Sequence, residues 1–357
     1  MKKYLLLFLS LSLFSIQAYA QPEDVGQAGA MQLTINSWAR SSGFMGMNVA
    51  SADGIESNGI NPAGLASTQG TELVFSSTRW LIGSDININS FGFSQRLGDG
   101  GSVLGITVNN FSLGDMTRTT TDLPDGTLGN FSLGVVNLSV SYAKQFTDNI
   151  YVGTVMRIVS ESTPEVNANG MAFDAGVQYR TGSEDQLKIG ISLRNVGPTM
   201  SYSGDGLSAR VLLNSRNSFT SSVEIPTSDF ELPATLAMGA SYDFLIGEGD
   251  TKFTLLGSYI SNSSYRNQIG VGAEFNYKDI FMARGGYLYE EGSLGEGNER
   301  FDVLSGLGAG ITVQAPVNTG RTNAEGTDVL SRFSLDVSYR PTTQFNGTLT
   351  VGARIDL

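Results

Sequence analysis

From about residue 72 onward, apolar side chains recur at every second position in segments roughly ten residues long. Leu236, Met238, Ala240, Tyr242 and Phe244 are interleaved with Thr235, Ala237, Gly239, Ser241 and Asp243. Ile269, Val271, Ala273, Phe275 and Tyr277 alternate with Gln268, Gly270, Gly272, Glu274 and Asn276. Near the end, Leu349, Val351, Ala353 and Ile355 alternate with Thr348, Thr350, Gly352 and Arg354. A period of two sends successive side chains to opposite faces of a strand. The apolar face often closes on an aromatic (Tyr142, Tyr179, Tyr242, Tyr259, Tyr277, Tyr287, Tyr339). Such rings suit a membrane–water interface, with the body in lipid and the hydroxyl wet.

The pattern predicts strands near 72–80, 87–97, 102–110, 132–146, 150–160, 170–181, 186–195, 232–244, 251–260, 267–277, 280–289, 301–313, 330–340 and 346–356. That is fourteen, an even number, and most have the 9–11 residues that cross a bilayer at a tilt. Tight turns at 98–101, 147–149, 182–185, 247–249 and 278–279 alternate with longer links at 111–131, 161–169, 196–231 and 290–300. Short turns at one end and long loops at the other are what a transmembrane barrel produces. The link 314–329 is long but falls on the short-turn, periplasmic side; it is an excursion there or a slip in the count. A water-soluble sandwich would give the same alternation, but strand length, strand number and aromatic placement favour a fourteen-stranded antiparallel barrel over 72–357. No repeat supports a propeller.

The chain starts with Lys2 and Lys3, an apolar run from Leu5 to Leu13, and Ala18-Tyr19-Ala20. This is a secretory signal peptide over 1–20, with cleavage after Ala20 and export to the outer membrane of a diderm bacterium. Gln21 follows where a lipoprotein would carry cysteine. Losing the two lysines takes the formal charge from −12 to −14, which argues against a nucleic-acid partner. Cysteine and histidine are both absent. Disulfides, thiol nucleophiles, imidazole or thiolate metal sites and His-dependent triads are thereby excluded. No enzyme activity, cofactor or metal is expected. Calcium on the acidic link 290–299, or on Asp122 with Asp125, lacks the ligand ladder that would support it, and the Gly-rich 306–310 and 98–101 lack a phosphate loop's Lys-Ser/Thr.

Residues 21–71 have a different texture, without strand-length alternation. Phe44, Met45, Met47, Val49, Ile55, Ile60 and Leu65 are too apolar for an exposed tail, and the segment reads as a plug inside the barrel. Within it, Ala39-Arg40-x-x-Gly43-x-Met45-Gly46, the Ala-Asp-Gly step at 52–54 and Asn61-Pro62-Ala63-Gly64-Leu65 resemble the start of the PorV/PorQ family, part of the wider FadL-like group of fourteen-stranded barrels. Arg194 to Tyr202 and Leu232-Pro233-Ala234-Thr235-Leu236 are similar to segments of PorV-type chains. The resemblance implies an N-terminal hatch built on Arg40, Gly43, Met45, Gly46, Asn61, Pro62, Ala63, Gly64 and Leu65. It also implies work in the type IX secretion system of Bacteroidetes, with the translocon or cargo C-terminal domains as partners. FadL itself moves fatty acids along a hatch-gated path and out sideways through the wall, so the rival expectation is a channel for hydrophobic small molecules with an apolar pocket beside Phe44, Met45 and Met47.

Two further sets of residues complete the reading. Inward-phase Asp174, Arg180, Arg194, Glu274, Arg332, Asp336 and Arg354 should form a polar lumen network. Phe219, Val223, Ile225 and Phe230 on the link 196–231 should offer an outer contact surface to a protein partner.

Overall fold

The computed structural model describes residues 28–357 except 99, 121, 127, 215–218, 248–249, 291–301 and 323–327, and leaves out the side chains of 212–220 and 318–330. The signal peptide and its cleavage site lie outside the described residues. Strands run β1 Thr71–Trp80, β2 Ile86–Leu97, β3 Ser102–Thr117, β4 Asn130–Gln145, β5 Ile150–Ser162, β6 Asn167–Thr181, β7 Leu187–Val196, β8 Ser208–Asn214, β9 Phe219–Glu224, β10 Thr235–Ile246, β11 Thr251–Asn262, β12 Gln268–Tyr277, β13 Phe281–Glu290, β14 Leu307–Thr322, β15 Asp328–Arg340 and β16 Thr348–Asp356. All but β8 and β9 form one closed antiparallel barrel of fourteen strands. Closure comes from β1 pairing with β16, in register from Glu72 with Asp356 to Arg79 with Leu349.

The two faces of each strand differ as the alternation requires. On β4, Val136, Leu138, Val140 and Tyr142 are exposed on the outside, whereas Asn137, Ser139, Ser141 and Ala143 are buried in the lumen. In a membrane protein an exposed apolar exterior faces hydrocarbon, and a closed ladder leaves no unpaired backbone in it. Tyr142, Tyr179, Tyr242 and Tyr277 ring the short-turn end, and Tyr259 and Tyr339 stand near the other.

Several boundaries differ from the sequence reading. β5 runs to Ser162 and β6 begins at Asn167, so the expected long link at 161–169 is a tight turn. β3 and β4 likewise continue past the bilayer, pairing Asp115 with Ser132 and Met116 with Phe131. Polar Ser, Thr and Asn keep the ladder going where the apolar alternation stops. The link 196–231 contains the β8–β9 hairpin, which the pattern does not reveal. At 314–329 the count does not slip. β14 continues through Pro316, opposite Arg332, as a paired ribbon with β15 that projects past the ends of β13 and β16. Pro316 reads as a strand breaker, yet it costs nothing where one edge of the strand has no partner.

Substituting Arg for Ile191, which faces outward at the middle of β7, is expected to destabilise the barrel by about 2–4 kcal/mol in denaturant unfolding from lipid vesicles. Leu187→Arg at the short-turn end should cost only about 0–1 kcal/mol. Equal costs at both positions would mean the wall does not face lipid.

Candidate functional site inside the barrel

Residues 28–70 fill the barrel. The segment starts at the long-loop end, where Ala28 bridges Glu231 and the Gly29 N–H donates to the Glu231 carbonyl at 3.0 Å. It descends through a 3-10 turn at Met31–Thr34, the single helical turn α1 (Ala39–Ser42) and two 3-10 turns at Ile55–Gly59 and Pro62–Ser67. It leaves at the short-turn end, where Arg96 N–H donates to Gly70 O at 2.9 Å, and becomes β1. Asn61 explains the Asn-Pro step. Its Oδ1 accepts from the Ala63 N–H at 3.1 Å, capping the turn that Pro62 opens. Its Nδ2 donates to Val49 O at 2.9 Å and to Val177 O on β6 at 3.1 Å.

The wall meets this segment with glycine. A Cβ added at Gly153 would overlap the Pro62 carbonyl, one at Gly176 the Asn61 side chain, one at Gly190 the Val49 carbonyl, and one at Gly270 or Gly286 the Met47 side chain. Gly92 and Gly105 make the same room for Ile55, and Gly308 for Met45. Backbone and wall therefore approach closer than any side chain allows. Met47, Ile55, Ile60 and Leu65 are at most 2% exposed as a result.

Charge joins the segment to the wall in two clusters, and a further pair lies within the wall. Arg354 on β16 lies 3.0 Å from Glu56, 3.2 Å from Glu72 and 3.7 Å from Asp53. Arg40 continues from Asp53 (3.9 Å) to Asp336 (3.3 Å), which Arg284 also approaches (3.7 Å) while holding Glu274 at 2.7 Å. Separately, Arg157 pairs with Asp174 at 2.6 Å and donates to the Asn58 carbonyl at 3.3 Å. Lys188 pairs with Asp243 at 2.8 Å. Burial, only partly offset by Arg354, holds the Glu56 carboxyl above its ordinary range.

The seven expected lumen residues do not make one network. Glu274, Asp336 and Arg354 belong to the first cluster and Asp174 to the second. Arg194 donates to the Gly59 carbonyl, and Arg180 donates to Gln178 at 2.8 Å while stacking on Tyr151. Arg332 is exposed at the short-turn mouth beside Arg354 and Asp356. Glu56, Glu72, Arg157 and Arg284 were missed. The last three sit at inward phase between outward residues, a signal the sequence does carry. Glu56 has none. Of the expected outer contacts, Val223 and Ile225 are exposed. Phe230 instead packs inward on Gly29 and beside Met200, Leu232 and Leu33, and the Phe219 side chain is outside the described residues.

Among the described residues, two cavities flank the inner segment at the level of Phe44 and Met45, besides a wider opening at the short-turn mouth beside Glu72, Arg354 and Leu357. One of about 150 Å³ opens near the long loops; Met45, Ile60, Trp80, Ile260, Leu288 and Leu304 form its apolar part, and Asn36, Arg194, Gln268, Glu290, Asp302 and Arg340 its polar part. The other, about 280 Å³, opens toward the short turns and is lined by charge, including Arg40, Lys188, Asp243, Glu274 and Arg354, with Phe44. Phe44 and Met45 are consecutive, so one turn of chain faces both cavities. That turn is held by Gly46 N–H to Ser41 O at 2.9 Å and carries left-handed backbone at Met45 (φ 56°) and Gly46 (φ 76°). The Arg284 guanidinium lies over the Phe44 ring at 5.6 Å. At every strand junction of the barrel described residues pair, but between β6 and β7 the register shifts between Phe173 and Ala175, where Asp174 Oδ1 accepts from the Asn195 N–H at 2.6 Å.

No protein-family model matches the sequence, and no characterised protein is similar enough to match it. Solved structures do share its architecture. The toluene transporter TodX of Pseudomonas putida is 13% identical, over 90% of this chain and 97% of that one, at a TM-score of 0.54. The CymD monoaromatic hydrocarbon channel is 14% identical over the same shares, 90% and 97%, at 0.53. The fold is thus a closed fourteen-stranded antiparallel barrel of the FadL-like kind.

Arg354→Gln should strand Glu56 and Glu72 in the lumen and cost about 3–5 kcal/mol, read as a lower unfolding temperature and faster proteolysis between residues 28 and 70. Glu56→Gln should cost less, because Glu72 and Asp53 still face Arg354. The reverse ranking would mean that Arg354 does not hold the segment.

Proposed function

We propose that this protein is a non-enzymatic outer-membrane channel for small, mainly apolar solutes, with the segment 28–70 as its gate. The observation that carries this reading is the pair of cavities on either side of the Phe44–Met45 turn. The upper one has a mixed lining whose apolar part is Met45, Ile60, Trp80, Ile260, Leu288 and Leu304, and its volume is of the size that holds a benzene. TodX and CymD, which share the fold, are a toluene transporter and a monoaromatic hydrocarbon channel. Strands pair at every junction of the barrel, which supports a path along the barrel axis. A solute enters from the long-loop end, waits above Met45, and passes when the turn from Ser41 to Gly46 moves. Expulsion of water from apolar surface drives the first step. The charged lower cavity offers no competing apolar site, so a solute that passes the turn is released.

A second reading is docking in type IX secretion. It is supported by the resemblance over residues 39–66 and by the exposed Val211, Val223 and Ile225 on the long-loop side. One pair of experiments separates the two. A deletion strain that exports its surface proteins normally but takes up toluene slowly supports the channel. Lost export with unchanged uptake, or a giant translocon copurifying from solubilised outer membrane, favours docking.

Ile260→Trp should fill the upper cavity and lower toluene uptake into proteoliposomes several-fold. Phe44→Ala with Met45→Ala should open the partition and raise ion conductance in planar bilayers. If both variants fold and behave like the parent protein, the axial path is wrong.

A further inference from the structure

The lipid-facing belt is not uniform. Outward positions on β4 read Val136, Leu138, Val140 and Tyr142, and on β7 Leu187, Ile189, Ile191 and Leu193, all exposed. On β1 they read Leu73, Phe75, Ser77 and Arg79. On β2 they read Asn87, Asn89, Phe91 and Phe93. Cross-strand register puts Ser77 beside Asn89 and Asn89 beside Asn110, and in the next outward row Arg79 beside Asn87 and Asn87 beside Ser112. The first row turns apolar on both flanks, at Val351 on β16 and Val136 on β4, and the second meets Leu349 on β16 and Gly134 on β4. A polar strip three strands wide therefore interrupts the apolar wall.

The Ser77–Asn89–Asn110 row lies at membrane depth, and the Arg79–Asn87–Ser112 row at its upper aromatic edge, joined to Tyr339 across Leu349. β1 has ten residues, which at the usual tilt rise about 25 Å, the height of the lipid-facing band. Ser77 is the seventh of these ten, inside the band. The amides are only partly used: the Ser77 hydroxyl donates to Asn89 Oδ1 at 2.9 Å, and Asn87 Nδ2 donates to the Asp85 carbonyl at 3.3 Å. Polar side chains facing hydrocarbon need partners there.

We propose that this strip is the contact by which two copies of the chain pair side by side in the membrane. Serine and asparagine carry donors and acceptors together, so the strip is complementary to itself, as a two-fold interface requires. With the axis at β2, Asn89 meets its own counterpart and Ser77 meets Asn110 of the second copy. Arg79 meets Asp115, which is exposed at the top of β3. The charge favours this occupant over an anionic lipid headgroup, because one cation, Arg79, stands against two acids, Asp85 and Asp115. The inference rests on the wall facing lipid and not on what the lumen carries.

The chain has no cysteine, so one introduced thiol reports cleanly. Asn89→Cys, oxidised in native outer membranes, should give a disulfide-linked species of twice the mass, and Met171→Cys on β6 should not. Arg79→Asp should weaken that cross-link, and adding Asp115→Arg should restore it. Outward substitutions leave the lumen intact, and heat-modifiable migration checks that each variant is folded. Cross-linking of Asn89→Cys to a chain of another mass, equal cross-linking at both positions, or labelling of Asn89→Cys by a lipid-soluble maleimide without any dimer would each overturn the proposal.

Discussion

Close packing between an inner segment and a glycine-lined wall is the constraint on which the rest of this structure depends. A barrel of fourteen strands encloses more space than its own inward side chains fill. Here that space is taken by residues 28–70, and the wall yields at Gly153, Gly176, Gly190, Gly270 and Gly286 so that backbone can lie against backbone. The contact has two costs: inward glycines pack nothing themselves, and they loosen the unfolded chain. What offsets them is the burial of Met47, Ile55, Ile60 and Leu65 and the satisfaction of Asn61 by carbonyls on both sides. Wall and inner segment are thus one core.

The charged clusters act on top of that fit. Arg354, Arg40 and Arg284 each join the inner segment or its neighbours to carboxylates from β1, β12 and β15. A buried pair of this kind is weak evidence for stability, but breaking it is costly, because the remaining charge has no water to turn to. The clusters therefore fix the register of the segment more than they add to its affinity. They lie toward the short turns, whereas the apolar layer around Met45, Ile260 and Leu288 lies toward the long loops. The lumen is nevertheless mixed at both ends: Trp38, Ile55, Leu65 and Val103 form a second apolar cluster toward the short turns, and Arg194, Glu290, Asp302 and Arg340 line the cavity toward the long loops.

Sequence pattern by itself determined the architecture. A period of two needs no knowledge of neighbours, because the alternation of Leu236 to Phe244 or Ile269 to Tyr277 reflects two faces in two solvents. Strand number, pairing order and the outward aromatics follow from that. The inward arginines and acids were partly legible for the same reason, Arg157 and Arg284 being polar at inward phase. Which acid meets which base was not legible, since Asp336 and Arg40 are 296 residues apart along the chain. Only the closed ladder and the path of the inner segment set that distance. Gly270 falls at inward phase within a strand by the alternation, but the pattern does not show that Met47 packs on it. Nothing local distinguishes a glycine that needs an unusual backbone from one that needs an absent side chain. Phe230 was assigned to an outer surface and turned inward for a similar reason: Gly29, the residue that receives it, is 201 positions away in sequence. The one-dimensional pattern fixes what each strand presents to lipid and to lumen. Tertiary structure alone decides what fills the lumen, because that depends on distances between residues far apart in the chain.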